Sequence, residues 1–232
     1  MTDQLEFRKD VIGPVECYRE AWEIIKPHYW MLFALTIVGV MISGASLYVL
    51  GGAMICGIMF SFLGVVEGEE PKFENLFKGF EFWRPGLFVF AVMVLPTILV
   101  MALTYFPVII AAFMGQTMSD QELYAFIAGV FAVESLFLII MVCVHTLLMF
   151  AFPLIVDRRL SGWASMKLSA RGVWANLQGV AGLWVVGFFV SLLGLVAFCI
   201  GVYFTIPVII AAHLVAYRKI FPGDLAKTGS VN

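Results

Sequence analysis

Charge is what this sequence has least of. Only 13% of its 232 residues are Asp, Glu, Lys or Arg, against about 25% in an ordinary soluble domain. Between Leu177 and Tyr217 there is none. With 62% hydrophobic residues and a mean hydropathy of +0.99, a chain of this length cannot hide its apolar surface from water. Lipid has to be the solvent for most of it. The net charge of −2 excludes the basic footprint of a nucleic-acid binder. Cysteine is sparse as well: Cys17, Cys56, Cys143 and Cys199 have neither CxxC nor metal-ligand spacing and read as small buried hydrophobes. HExxH, GxSxG and the P-loop are missing, and no two carboxylates share an apolar run. Neither an enzymatic activity nor a cofactor or metal is expected.

What is there is a set of long apolar runs: Tyr29–Val66, Gly86–Met114, Leu123–Val156 and Leu177–Tyr217. One span needs about 20 residues. The first and last runs are each long enough for two spans folded as a hairpin. Turns are expected at Ser43-Gly44-Ala45-Ser46 and near Gly194–Gly201, where small residues cluster. Each middle run is read as one long helix, kinked by Pro96, Pro107 or Pro153. The reading is an all-α membrane protein with six spans at about 29–45, 47–66, 86–110, 125–156, 177–197 and 200–217. The first 28 residues are polar, and the first apolar run is far longer than a signal peptide's core of about 7–15 residues. An uncleaved anchor is expected, in one membrane domain over 1–220 with a disordered polar tail over 221–232.

Orientation follows from the basic residues. With six spans, segments 1–28, 67–85, 157–176 and 218–232 share one side and hold all 14 Lys and Arg. The hairpin turns and Gly115–Glu122 hold none. The positive-inside rule makes the basic side cytoplasmic, with both termini there.

Three of those cytoplasmic segments pattern as amphipathic helices. Pro14–Lys26 stripes Val15, Tyr18, Trp22 and Ile25, with Pro14 at a first-turn position. Pro71–Trp83 stripes Phe73, Leu76, Phe77 and Phe80, with Glu74 and Lys78 as an i,i+4 pair. Trp163–Asn176 stripes Trp163, Met166, Ala170, Val173 and Trp174, with Ser161 as a cap. They are expected to lie flat in the inner interface, where Trp22, Phe73, Phe77, Phe80, Trp163 and Trp174 face the bilayer or dock a protein partner. A homo-oligomer is compatible with this pattern. The outer thirds also share a plan: Ala21 matches Ala170 and Gly52 matches Gly201 at one offset. The copies run in the same direction, which makes them parallel repeats of amphipathic helix, span, turn and span.

Ionisable residues inside spans are the default functional candidates. By a rise of about 1.5 Å per residue, Glu134 lies roughly 35 Å from Asp157, towards the outer headgroups, and His145 roughly 18 Å, near the midplane. His213 lies roughly 8 Å from Arg218 by the same measure. The bland reading of all three is a structural or interfacial polar group. The functional one is a polar path for a solute.

Phe152-Pro153-Leu154-Ile155-Val156-Asp157, then Ser169 and Asn176, then Gly201, Pro207 and Ala216-Tyr217-Arg218 form a pattern. Gly52, Gly57 and Leu76-Phe77-Lys78-Gly79-Phe80 extend it into the N-terminal half. In these residues the chain resembles a broad group of uncharacterised bacterial six-helix membrane proteins. The group includes the YciC-like inner-membrane proteins and the membrane domain attached to some glycerophosphodiester phosphodiesterases. The resemblance implies six helices in a bacterial inner membrane and no assigned activity. The phosphodiesterase domain is absent from this chain, so that activity is not implied. The expected function is a non-catalytic scaffold or accessory subunit, with a transporter or channel for a small solute or lipid-like substrate as the alternative.

Overall fold

The computed structural model describes residues 7–113, 119–196 and 201–222. Among them all regular structure is helical: α1 (Pro14–Ile25), α2 (Tyr29–Ala45), α3 (Gly51–Val66), α4 (Trp83–Phe113), α5 (Asp120–Leu147), α6 (Ala151–Arg158), α7 (Gly162–Ala175), α8 (Leu177–Val196) and α9 (Gly201–Ile220). A 3-10 turn, Lys26–His28, joins α1 to α2, and a 3-10 segment, Phe73–Phe82, precedes α4. The chain forms two compact units: Met1–Val89 with Leu147–Asn232, and Phe90–Thr146.

In the first unit, the core collects fully buried Ile25, Leu32, Leu35, Met54, Phe62, Leu76, Leu154 and Tyr217. Its tightest seam joins α3 to the 3-10 segment. A Cβ on Gly57 would strike the Leu76 carbonyl, and one on Gly79 would strike the Ala53 carbonyl. Only residues without a side chain permit that backbone-to-backbone approach. On the other side of the unit, Ile12, Pro14 and Tyr18 meet Gly179, Gly182 and Gly187 in that order. So α1 runs beside α8 and in the same direction. The Tyr18 hydroxyl donates to the Leu183 carbonyl at 3.4 Å. Beyond the 3-10 turn, the Tyr29 hydroxyl donates to the Phe204 carbonyl at 2.6 Å. The first helix therefore follows the α8–α9 pair lengthwise, whereas its sequence pattern predicts a helix lying flat in the inner interface.

The packed faces share only Tyr18 and Ile25 on α1 and Val173 on α7 with the stripes expected to face the bilayer or a partner. On α1 the buried side is Cys17, Tyr18, Ala21 and Ile25, while Val15 and Trp22 are exposed. On α7 it is Gly162, Ser165, Leu168, Ser169, Gly172 and Val173, leaving both tryptophans outside. Small residues win these contacts because they let backbones close up. Local signals fare better. Pro14 sits in the first turn of α1, and the Ser161 hydroxyl caps α7 by accepting from the Ala164 amide at 3.4 Å.

Two breaks move. Helix α2 continues through Ala45, and the first turn occupies the residues after it. There Ser46 donates to the Ser43 carbonyl at 2.9 Å and accepts from the Leu50 amide at 3.2 Å. Leu47 and Tyr48 take left-handed conformations, φ 50° and 64°. The run expected as one helix over 125–156 is two, α5 and α6, parted at Leu148–Phe150. Pro153 falls in the first turn of α6, where its missing amide costs nothing, and the break spares its ring a clash with the preceding turn. Helix α4 passes through Pro96 and Pro107 as one element.

The second unit holds the rest of α4 and nearly all of α5. Its helices are apolar on every side: Leu95, Leu103, Phe106, Phe131, Leu138 and Ile139 are all exposed.

Among the described residues, five stretches are long and apolar enough to cross a membrane: Pro14–Ala45, Phe73–Ile110, Asp120–Arg158, Leu177–Val196 and Gly201–Ile220. The sixth apolar helix, Gly51–Val66, has 16 residues, roughly 24 Å against a hydrocarbon core of about 30 Å. Six spans are expected from the sequence; among the described residues five stretches reach spanning length, and the remaining apolar helix is shorter than a span. The expected second turn and the tail fall mostly outside the described residues, as do Cys199, much of Gly115–Glu122 and the stretch before residue 7.

Candidate functional site

The strongest polar constellation was legible in the sequence only as a charged stop. Asp157 ends α6, Tyr217 and Arg218 lie in the last turn of α9, and Glu67 caps the C-terminus of α3. The Arg218 guanidinium grips Asp157 with both prongs, at 2.8 Å and 2.9 Å, and also pairs with Glu67. The Tyr217 hydroxyl donates to the same Asp157 carboxylate at 2.5 Å. Arg158 lies 3.9 Å from Asp157 and donates to the Pro222 carbonyl at 3.3 Å, with its guanidinium over the Phe221 ring. The Asp157 and Arg218 side chains are each 16% exposed. Two carboxylates and two guanidiniums therefore neutralise one another at the meeting point of three helix ends. The planar bidentate pairing suits Arg and not Lys. Chemically this is a clamp, in which the donors and acceptors face each other.

Two further polar residues of the resemblance pattern hold backbone. Ser169, fully buried, bridges the break between α5 and α6. Its hydroxyl donates to the Leu147 carbonyl at 2.7 Å and accepts from the Phe150 amide at 3.1 Å. Asn176, between α7 and α8, donates to the Arg8 and Gly172 carbonyls, each at 2.9 Å, and accepts from the Val11 amide at 3.4 Å. Beside it Asp10, Ile12, Pro14, Gln178 and Gly179 line a shallow cleft of about 380 Å³.

Of the three intramembrane candidates, two fall in the second unit and one in the first. Glu134 belongs to the second unit, where its Oε1 is buried without a hydrogen-bond partner. His145, also there, bonds the Met141 carbonyl of its own helix through Nδ1 at 2.8 Å. His213 belongs to the first unit and packs against Trp184, ring centres 6.1 Å apart. Among the described residues, no group of three His, Cys, Asp or Glu is placed to share a metal ion.

The six aromatic candidates behave as a set. Trp22, Phe73, Phe77, Phe80, Trp163 and Trp174 are all exposed. They are not core. Each projects from an element whose opposite side is packed against the first unit. Comparison with family models, with curated proteins and with solved structures finds no match for this chain.

Proposed function

We propose that this chain is a multi-pass protein of a bacterial inner membrane, with both termini cytoplasmic. It acts as a non-catalytic scaffold or accessory subunit that docks a protein partner at the cytoplasmic face. The resemblance to the YciC-like group belongs to the same proposal. The observation that carries it is the pairing of a closed clamp with an open aromatic surface. The charges at Asp157, Arg218 and Glu67 are spent on one another, while six large rings on three elements are exposed. Aromatic rings with an apolar body and a packed back suit the interface between lipid and water, and the partner that meets it there.

The topology is tested by single cysteines in a chain stripped of its own. Thiols beside Lys78 and Arg159 stay silent to an impermeant reagent outside the cell, and one at Gln116 reacts. The reverse pattern overturns the orientation. The docking role is tested by replacing Trp163 and Trp174 with Ser: a partner that co-purifies with the unaltered chain is lost. A partner retained at unchanged stoichiometry removes the role.

A transport reading has one observation in its favour, the orphaned carboxyl oxygen of Glu134, since unsatisfied polar groups in hydrocarbon mark solute paths. If Glu134→Gln, His145→Leu and His213→Leu leave uptake of candidate solutes unchanged, that reading is withdrawn.

A further inference from the structure

Two segments distant in sequence meet in the first unit. One is the junction of the 3-10 segment with α4, residues 81–88. The other is the α6–α7 link and the first turns of α7, residues 159–167. The contact is direct: a Cβ on Gly162 would lie 2.7 Å from the Phe88 ring and 3.0 Å from the Pro85 carbonyl oxygen. The two segments carry three cations, each over a ring. Arg84 is 5.6 Å from the Trp83 ring centre, Arg159 is 5.6 Å from that of Phe82, and Lys167 is 5.1 Å from that of Trp163. One carboxylate, Glu81, stands 3.6 Å from Arg159. Among the described residues none pairs with Arg84 or Lys167. Trp83, Phe88 and Trp163 are 50%, 46% and 58% exposed. From Gly86 to Phe113, α4 carries no charged residue at all.

The arrangement has two ends of different chemistry. One carries cations beside exposed rings, and the other is the uncharged helix that follows them in sequence. A phosphate with two unneutralised cations near it is held by charge. Acyl chains attached to that phosphate would lie on the rings and the first turns of α4, which water would otherwise wet. A soluble acidic partner would use the cations and waste the apolar stem. We propose that this junction binds the headgroup of an anionic phospholipid, with Arg84 and Lys167 as its principal contacts. The proposal rests on the membrane reading above.

The test uses the full chain extracted in a neutral detergent, offered phosphatidylglycerol or phosphatidylcholine, with retained lipid read by native mass spectrometry. Phosphatidylglycerol is retained preferentially, and added salt weakens the preference. Arg84→Gln combined with Lys167→Gln lowers its retention by roughly fivefold per cation removed and leaves phosphatidylcholine unchanged. Equal retention of both lipids, or unaltered retention by the double variant, overturns the proposal. So does inorganic phosphate displacing the lipid at equal concentration, which would mark a free-ion site. If the double variant is misfolded by circular dichroism, the charge-keeping pair Arg84→Lys and Arg159→Lys takes its place. That pair retains the salt-sensitive preference, and a preference indifferent to salt sinks the idea. A chain recovered in the aqueous fraction without detergent would refute the membrane reading itself. A chain extracted from membranes that shows no lipid preference refutes only this site.

Discussion

The two units are both built from apolar sequence and are held in different ways. The candidate spans packed wholly within the first unit, Pro14–Ala45, Leu177–Val196 and Gly201–Ile220, bury 28%, 22% and 39% of their most apolar windows inside the protein. The stretches that furnish the second unit, Phe73–Ile110 and Asp120–Arg158, bury 11% and 6%. The first unit's buried carboxylate at Asp157 is gripped by an Arg and a Tyr. The second unit's Glu134 has an oxygen with no partner. Hydropathy alone ranks them the other way, 2.6 for the two poorly packed stretches against 1.4 to 2.2 for the others. The lesson is that apolarity says which surface leaves water, and small residues and polar clamps say which surface meets protein. The first unit is specified by its own contacts. The second depends on whatever apolar medium surrounds it.

The contrast is broken most directly at the clamp. Asp157→Ala strands the Arg218 guanidinium among buried groups, with an expected loss of about 3–5 kcal/mol. Thermal unfolding in detergent reads it. The double variant Asp157→Ala with Arg218→Leu recovers part of that loss, because no charge is then left alone. A single variant as stable as the parent would mean the clamp adds nothing to the fold.

A milder comparison uses one residue type in both units. Leu154 is fully buried in the first unit, and Leu138 is 63% exposed in the second. Leu154→Ala costs about 2–5 kcal/mol through the cavity it leaves. Leu138→Ala stays within about 0.5 kcal/mol, because the medium closes over the missing atoms. Equal losses at the two sites would show that the second unit packs as tightly as the first.

Which parts of this were legible in the sequence follows from the range of each signal. Helix ends set by a local event were readable: Pro14 at the start of α1, Ser161 before α7, Leu177 where the uncharged run begins. Contacts that join distant segments were not. Asp157 and Arg218 end two separate apolar runs, yet nothing in either announces the other across 61 residues of chain. Ser169 looked like one more small residue on a helix; its use is to patch a break some 20 residues earlier. The packed faces of α1 and α7 were missed for a related reason. An aromatic stripe and a small-residue stripe recur with the same helical period. Periodicity cannot tell which of them turns to protein and which to the surroundings.

The smallest expected effect carries the opposite sign. Glu134 lies on α5 in the second unit with Oε1 shut away and unpaired. A buried acceptor without a donor costs free energy that an apolar group of similar size does not. Glu134→Leu should therefore raise stability, by about 1 kcal/mol, where the corresponding change at Asp157 is destructive. Glu134→Gln should fall between, since an amide keeps the acceptor and adds donors that also need partners. Melting curves of the three chains in one detergent decide it. A loss on Glu134→Leu would mean that the carboxyl is satisfied by something the chain does not itself supply, a solute or a neighbouring molecule in the membrane. The second unit would then owe its specificity to a partner, and the contrast with the first would be one of where the clamp comes from.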